Sequence, residues 1–390
     1  MPAELSQDRL VRKEVALGTL REMTPPDTHI GLSIAPFLDV ASDDVIFDYT
    51  KPLTEGLAPA RAEDAESELA QKDNFFGGTA RASVIDWAVK DHYTSSDVTR
   101  YRETLLLAGQ LGVNGLSELP VSIAGNVSEF QAKLARDEVT RRRKMDNRIE
   151  WLIMTGLETG AITYNDGKIM FSVNYGRPAN QTDEAPANGT WNLTTSDPIR
   201  DILPMQEFMY NLYGVRMTRA ITSRKVLNNT LNSSLFAARS GLAIPGYSVP
   251  SGGTVGSPAG TPVDPMYLID GWGPTAAQAI IEQQTGVRFE TYDSVYRTRP
   301  IGSTTVTNNR FTTENKIIFL PDPGDVAELD DAIGFAKTLT SPHPEGNWGT
   351  GFYEYEIETR DPWGLDRGTG IKAFPVFPHL DLTYTMIPLA

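Results

Sequence analysis

The stretch from residue 128 to residue 155 holds neither proline nor glycine. Nothing in it breaks a helix, and Ser128 with Gln131 fits a capping box that would satisfy the first free backbone N–H groups. Taken to residue 157, such a helix runs about 45 Å at about 1.5 Å per residue, longer than a small domain is wide. A rod of that length must run through whatever the rest of the chain builds. Its apolar positions (Phe130, Leu134, Val139, Met145, Ile149, Leu152, Ile153 and Leu157) form an imperfect stripe. Its middle, Arg141, Arg142, Arg143 and Lys144, is basic on all sides.

The 390 residues suffice for two folded lobes or one large domain, and 40% hydrophobic with 22% charged residues is an ordinary globular balance. No run of about 18 apolar residues occurs, so no membrane-spanning helix is expected. The first 15 residues are mixed and charged, without the apolar core of a signal peptide, so synthesis inside the cell is the expectation. The absence of cysteine removes disulfides, thiolate metal sites and thiol nucleophiles together. A net charge of −15 argues against a chain whose main task is gripping DNA, which would carry a high pI.

Ahead of the rod the chain reads as extended pieces. Residues 5–20 form a short helical patch that ends at Pro25 and Pro26. Residues 45–49 suggest a strand, and residues 79–90 alternate as a second one. Between them, residues 57–73 are rich in Ala, Glu and Asp, so the pair makes a long hairpin-like excursion with little core of its own. Residues 96–111 suggest a helix.

After the rod, residues 161–164 and 168–175 flank Asn165, Asp166 and Gly167, a hairpin signal. A polar loop with Trp191 leads to Asp197 and Pro198, an N-cap followed by proline at the first helical position. That helix ends near Gly214. A strand at 215–222, a helix at 223–232, a Gly/Pro/Ser loop at 242–265, a helix at 275–284 and strands at 287–296 and 316–320 follow. Residues 352–359 alternate cleanly, with Phe352, Glu354, Glu356 and Glu358 against Tyr353, Tyr355 and Ile357. Strands at 371–377 and 380–387 close the chain. The pattern is α+β without internal repeats.

No motif carries chemistry. The Gly-rich segment 251–260 is not followed by the Gly-Lys-Ser/Thr of a phosphate loop. His29, His92, His343 and His379 are dispersed, and no Gly-x-Ser-x-Gly nucleophile elbow occurs. The acidic cluster Asp322, Asp325, Glu328, Asp330 and Asp331 does not match a calcium loop. No catalytic, cofactor-binding or metal residue is assigned. The run Arg141, Arg142, Arg143 and Lys144 has three readings: a solvated helix middle, a nucleic-acid contact, or a partner for acidic groups on another copy. Glu63, Asp64, Glu66 and Glu68 have the right sign, and the net acidity favours this third reading.

The order of pieces resembles the lambda-type major capsid proteins of tailed phages, the major capsid protein E family. The elements that carry the resemblance are the arm, the two-stranded excursion, the rod with its basic run, and the hairpin ending in Val173-Asn174-Tyr175-Gly176-Arg177. Trp191 and then Asp197-Pro198 with Asp201 complete it. The resemblance implies an α+β, Hong Kong 97-like phage capsid fold. Its parts would be an N-terminal arm at 1–40, an extended E-loop at 41–91 and a peripheral domain at 92–195 with the spine helix at 128–157. The axial domain would take 196–335, the peripheral return strands 336–376 and a last axial strand 377–390. It implies a shell subunit of the virion, made in the host cytoplasm and assembling with itself into hexamers and pentamers around double-stranded DNA, which it would touch only non-specifically. A portal protein, a separate scaffolding protein and a decoration protein are the further partners implied, with no cofactor and no membrane. Pro25, Pro26, Gly77 and Gly78 are the expected joints. An encapsulin-like compartment, an acidic hydrolase with a diffuse site, or a tail or neck protein are the rival expectations.

Overall fold

The computed structural model describes residues 20–50, 76–94, 121–167, 169–193, 195–231, 233, 236, 274–298, 305–322, 326, 334–360 and 363–389. The expectations for residues 5–19, 57–73, 96–111, 242–265 and 325, 328, 330 and 331 lie outside these residues, as do Glu63, Asp64, Glu66 and Glu68.

In chain order the strands begin with β1 (Phe37–Asp39), β2 (Asp44–Thr50), β3 (Phe76–Ser83), β4 (Asp86–Thr94), β5 (Ala161–Asn165) and β6 (Met170–Asn174). They continue with β7 (Met217–Thr222), β8 (Arg288–Thr291), β9 (Val295–Thr298), β10 (Thr307–Arg310) and β11 (Ile317–Pro321). The last are β12 (Lys337–Thr340), β13 (Phe352–Arg360), β14 (Trp363–Val376) and β15 (Tyr384–Met386). Among the described residues the helices are α1 (Gly31–Ile34), α2 (Val121–Thr159), α3 (Pro198–Tyr213), α4 (Arg224–Thr230) and α5 (Pro274–Thr285). The chain divides into two compact units: Met1–Val45, Arg81–Trp151 and Lys337–Val376 in the first, and Ile46–Ala80, Leu152–Ala336 and Phe377–Ala390 in the second.

The first unit is built on β14, the longest strand. It pairs antiparallel with β12, β13 and β4, and β1 adds to β12 in parallel. Glycines at 364, 368 and 370 would ordinarily weaken a strand. Here they make room: a Cβ at Gly368 would stand 2.2 Å from Tyr355 Cζ, and one at Gly370 2.4 Å from Tyr353 Cζ. The rings of Tyr353 and Tyr355 on β13 therefore lie against the backbone of β14 at these glycines. On α2, Leu134, Glu138, Arg141, Arg142, Met145, Asp146, Ile149 and Glu150 are buried, which is one helical face at spacings of three and four. Trp87, Tyr93, Phe352, Leu365 and Ile371 are buried in the same unit.

The second unit holds a four-stranded sheet in the order β15-β11-β7-β8, with β7 and β8 parallel and the other pairs antiparallel. Its apolar core gathers Trp191, Ile202, Met209, Leu227, Ile281 and Phe319 with their neighbours. Asp197 caps α3 by accepting from Arg200 N at 3.2 Å, Pro198 opens the helix, and Gly214 closes it at φ +70°. The hairpin of β5 and β6 turns at Gly167, φ +81°, as its Asn-Asp-Gly signal predicts.

Five expectations need correction. The strand expected at 380–387 is a 3-10 turn at Leu380–Leu382 followed by the short β15. The long helix starts at Val121, so Ser128 lies within it and is not its cap. The alternating run 79–90 is two strands: β3 pairs with β2, β4 pairs with β14, and the chain breaks step at Val84 and Ile85, whose backbone groups bond Asp43 and Ala373. The strand expected at 287–296 is likewise split into β8 and β9. The strand expected from residue 371 begins at Trp363, and its glycines at 364, 368 and 370 make room for close packing. No helix among the described residues is long and apolar enough to cross a membrane.

Candidate functional site

The basic run of α2 covers about 300° of helix in four residues, so it cannot be all buried or all exposed. Arg141 and Arg142 fall on the inward face and are 0% and 3% exposed, while Arg143 and Lys144 face outward. Arg141 donates from Nη1 to Asp91 Oδ2 at 2.9 Å and from Nε to Thr369 Oγ1 at 3.0 Å, and its Nη2 stands 3.5 Å from Glu354 Oε1. Arg367 on β14 donates to the same oxygen of Glu354. Sequence reasoning sought the acidic partners of the run in another copy. Two of the four cations find theirs in their own unit, and as folded they are closed to a neighbour. The signal was present: Glu354 shares one side of the alternating 352–359 run with apolar Phe352, and a carboxylate buried beside it needs an opposing cation.

Glu138 shares this layer and is buried without a hydrogen-bond partner for its Oε1; Glu354 Oε2 and Arg141 Nη2 also lack partners. Burial first, and then the neighbouring charge of Glu354, pushes the Glu138 carboxyl up to about 7, against the opposing pull of Arg367 and Arg141. Burial likewise raises the Tyr93 hydroxyl to about 12, although Arg141 lies beside it.

Arg142 and Glu150 act on the segment that leads into β1. Arg142 donates to Leu20 O at 2.7 Å and Met23 O at 3.2 Å, pairs with Asp146 at 3.0 Å, and stacks on the Phe352 ring. Glu150 accepts from Ile30 N at 3.0 Å and Gly31 N at 2.9 Å. Pro25 and Pro26 therefore lie between two anchors and do not sit at a free joint. Leu20, Gly31 and Ala35 are buried, so residues 20–40 rest on their own unit where an arm draped over a neighbour was expected. Gly77 and Gly78 lie inside β3 rather than at a bend.

In the second unit, the Gly176-Arg177 step has a mechanical role. Arg177 donates from Nη1 to Leu157 O at 2.7 Å and from Nη2 to Glu158 O at 2.8 Å, satisfying carbonyls left free at the end of α2. Gly160, at φ +74°, lets the chain reverse there, and a Cβ on it would press against Arg177. Trp191 donates from Nε1 to Asp201 at 3.0 Å, and Asn188 bonds the other oxygen of Asp201. Trp191 N also donates to Pro388 O at 2.7 Å, tying the chain end to this core.

The histidines play local parts. His92 pairs with Asp366 at 2.5 Å, and His343 stacks on Tyr353 with ring centres 3.8 Å apart. Among the described residues no group of three or more His, Cys, Asp or Glu side chains could hold a metal ion.

Residues 121–237 match the profile of a family described as phage major capsid protein E. No curated protein matches the sequence. A crystal structure assigned as the capsid protein of an Escherichia coli prophage aligns over 97% of this chain and 97% of its own, with a TM-score of 0.54 at 12% identity. A phage-related protein of Bordetella bronchiseptica aligns over 96% of both chains at 14% identity, with a TM-score of 0.47. The SrpI encapsulin of Synechococcus elongatus covers 96% of this chain and 95% of its own at 10% identity, with a TM-score of 0.41. The likeness to the prophage protein extends over nearly the whole chain, and the profile match spans α2, the hairpin, α3, β7 and α4, so the chain shares the α+β fold of that prophage protein.

Proposed function

We propose that this chain is the major capsid protein of a lambda-type tailed bacteriophage. It assembles with itself into hexamers and pentamers, and these close into an icosahedral shell around double-stranded DNA. The observation that carries this is the match of residues 121–237 to the phage major capsid protein E profile, which falls on the segment that runs from the long helix into the second unit. The fold likeness over 97% of the chain supports it. On this reading residues 1–40 are the arm, of which 20–40 lie along their own unit, 41–91 the E-loop, 196–335 the axial domain, and 92–195 with 336–376 the peripheral domain. Residues 377–390 return to the axial domain. Portal, scaffolding and decoration proteins are the partners such a shell requires or accepts. The subunit works by tiling, with no reaction to catalyse and no cofactor to hold. Copies meeting head to tail must close by rotation or run on into tubes.

The purified protein should appear as megadalton particles in electron microscopy and light scattering. A stable species of 42.8 kDa under all assembly conditions would overturn the proposal. Particles found filled with an enzyme cargo in the producing cell, and without genome, would replace it with the encapsulin-like reading.

A further inference from the structure

Between Lys133 and Asn147 the outward side of α2 consists of Lys133, Arg136, Thr140, Arg143, Lys144 and Asn147, all exposed except the half-buried Asn147. At 100° per residue these positions fall within an arc of about 100°, and they extend over about 21 Å of helix. No Asp or Glu shares that arc. Glu138 and Asp146 are on the buried side, and Asp137, at the flank, accepts from Tyr93 Oη at 3.0 Å. Lys133 lies 5.8 Å from the centre of the Tyr93 ring. Among the described residues no carboxylate pairs with the side chains of Arg136, Arg143 or Lys144, whereas Arg141, Arg142, Arg219, Arg310, Lys316 and Arg367 each have one. In a chain of net charge −15, Arg136, Arg143 and Lys144 concentrate positive charge that no carboxylate among the described residues pairs.

An acidic protein segment and a phosphate backbone could both satisfy such a strip. A protein partner would draw its affinity from an apolar or aromatic anchor, since exposed ion pairs alone hold little. No large apolar side chain is exposed between residues 133 and 148. A phosphate backbone needs only cations in a row, without an anchor and without sequence. The strip fits the second.

We propose that this strip of α2 is the surface through which the chain touches double-stranded DNA, by sequence-independent contact with phosphates. The proposal rests on the shell reading, which supplies the DNA, and it assigns the side of the wall: the strip faces the genome. The acidity of the rest of the chain keeps the contact weak and local, so packaged DNA can still slide.

The full-length unassembled protein should bind a fluorescent duplex of about 30 base pairs, measured by anisotropy, with affinity falling roughly 40-fold between about 50 and 200 mM salt, as release of counterions by three cations requires. The triple variant R136E/R143E/K144E should lose this binding. R224E/K225E/R297E, with the same change of net charge at exposed sites elsewhere, should lose far less. No binding by the parent protein, or equal binding by the two triple variants, overturns the strip. If the strip variant binds DNA like its control but no longer forms particles, the strip meets an acidic protein segment instead, residues 63–68 of a second copy being the first to test by peptide competition. Electron microscopy of the parent protein judges the shell separately: particles without DNA binding sink the strip alone, and the lack of particles sinks the shell.

Discussion

Glu138 offers the sharpest test of the buried layer in the first unit. It lies among Arg141, Arg367 and Glu354 with almost no access to water, and burial holds its carboxyl protonated up to about pH 7. The folded state thus keeps a proton that the unfolded chain releases near 4.5. Because the folded value is raised, the contribution is fully present below the ordinary carboxylate range, falls as pH rises from about 4.5 to about 7, and is level above. Over that window the loss amounts to about 3 kcal/mol, at about 1.4 kcal/mol per pH unit. Glu138→Gln keeps the shape and removes the ionisation. Its urea midpoint, followed by tryptophan fluorescence, should match the parent protein near pH 5 and exceed it by most of that energy near pH 8.5. Background titrations such as that of Asp146, which burial also raises despite Arg142, are common to both proteins and cancel. Parallel pH profiles for parent and variant, or a variant weaker at the higher pH, would refute the reasoning.

Arg142→Met should cost about 3–5 kcal/mol, because it strands buried Asp146 and releases Leu20 and Met23; faster tryptic cleavage after Arg21 in the variant is the readout, and an unchanged rate counts against the anchor. Gly368→Ala forces a methyl group onto the Tyr355 ring and should destabilise by about 1–3 kcal/mol. Tyr355→Ala in the same chain should recover part of that loss in thermal unfolding, and no recovery would show that the close approach is not the cause. Arg177→Ala should uncover the Leu157 and Glu158 carbonyls and lower stability by about 1–3 kcal/mol. Faster hydrogen exchange at the end of α2 is expected, with the hairpin amides as the internal control.

Local signals were strong wherever one residue type answers one backbone need. The Asn-Asp-Gly turn, the Asp197-Pro198 cap and the Gly214 helix end are each decided within a few residues, so they stand in the sequence as they stand in the fold. The start of α2 was misplaced because a capping pattern is a local permission, and the helix continues past it through Gly125. β1, β10 and β12 were missed because each is only three or four residues long and takes its existence from the strand beside it.

By itself the sequence determined the existence of a long helix with a basic middle, a mixed α/β pattern along the rest of the chain, and a net acidity that confines any contact with DNA to a local surface. Tertiary structure decided which side of the rod is buried. Charge on a helix has no inside until a sheet covers one face. Once the sheet carrying Asp91, Glu354 and Thr369 does so, Arg141 becomes part of the core, with Arg142 bound to the chain beneath it, while Arg143, one step of 100° further on, faces outward.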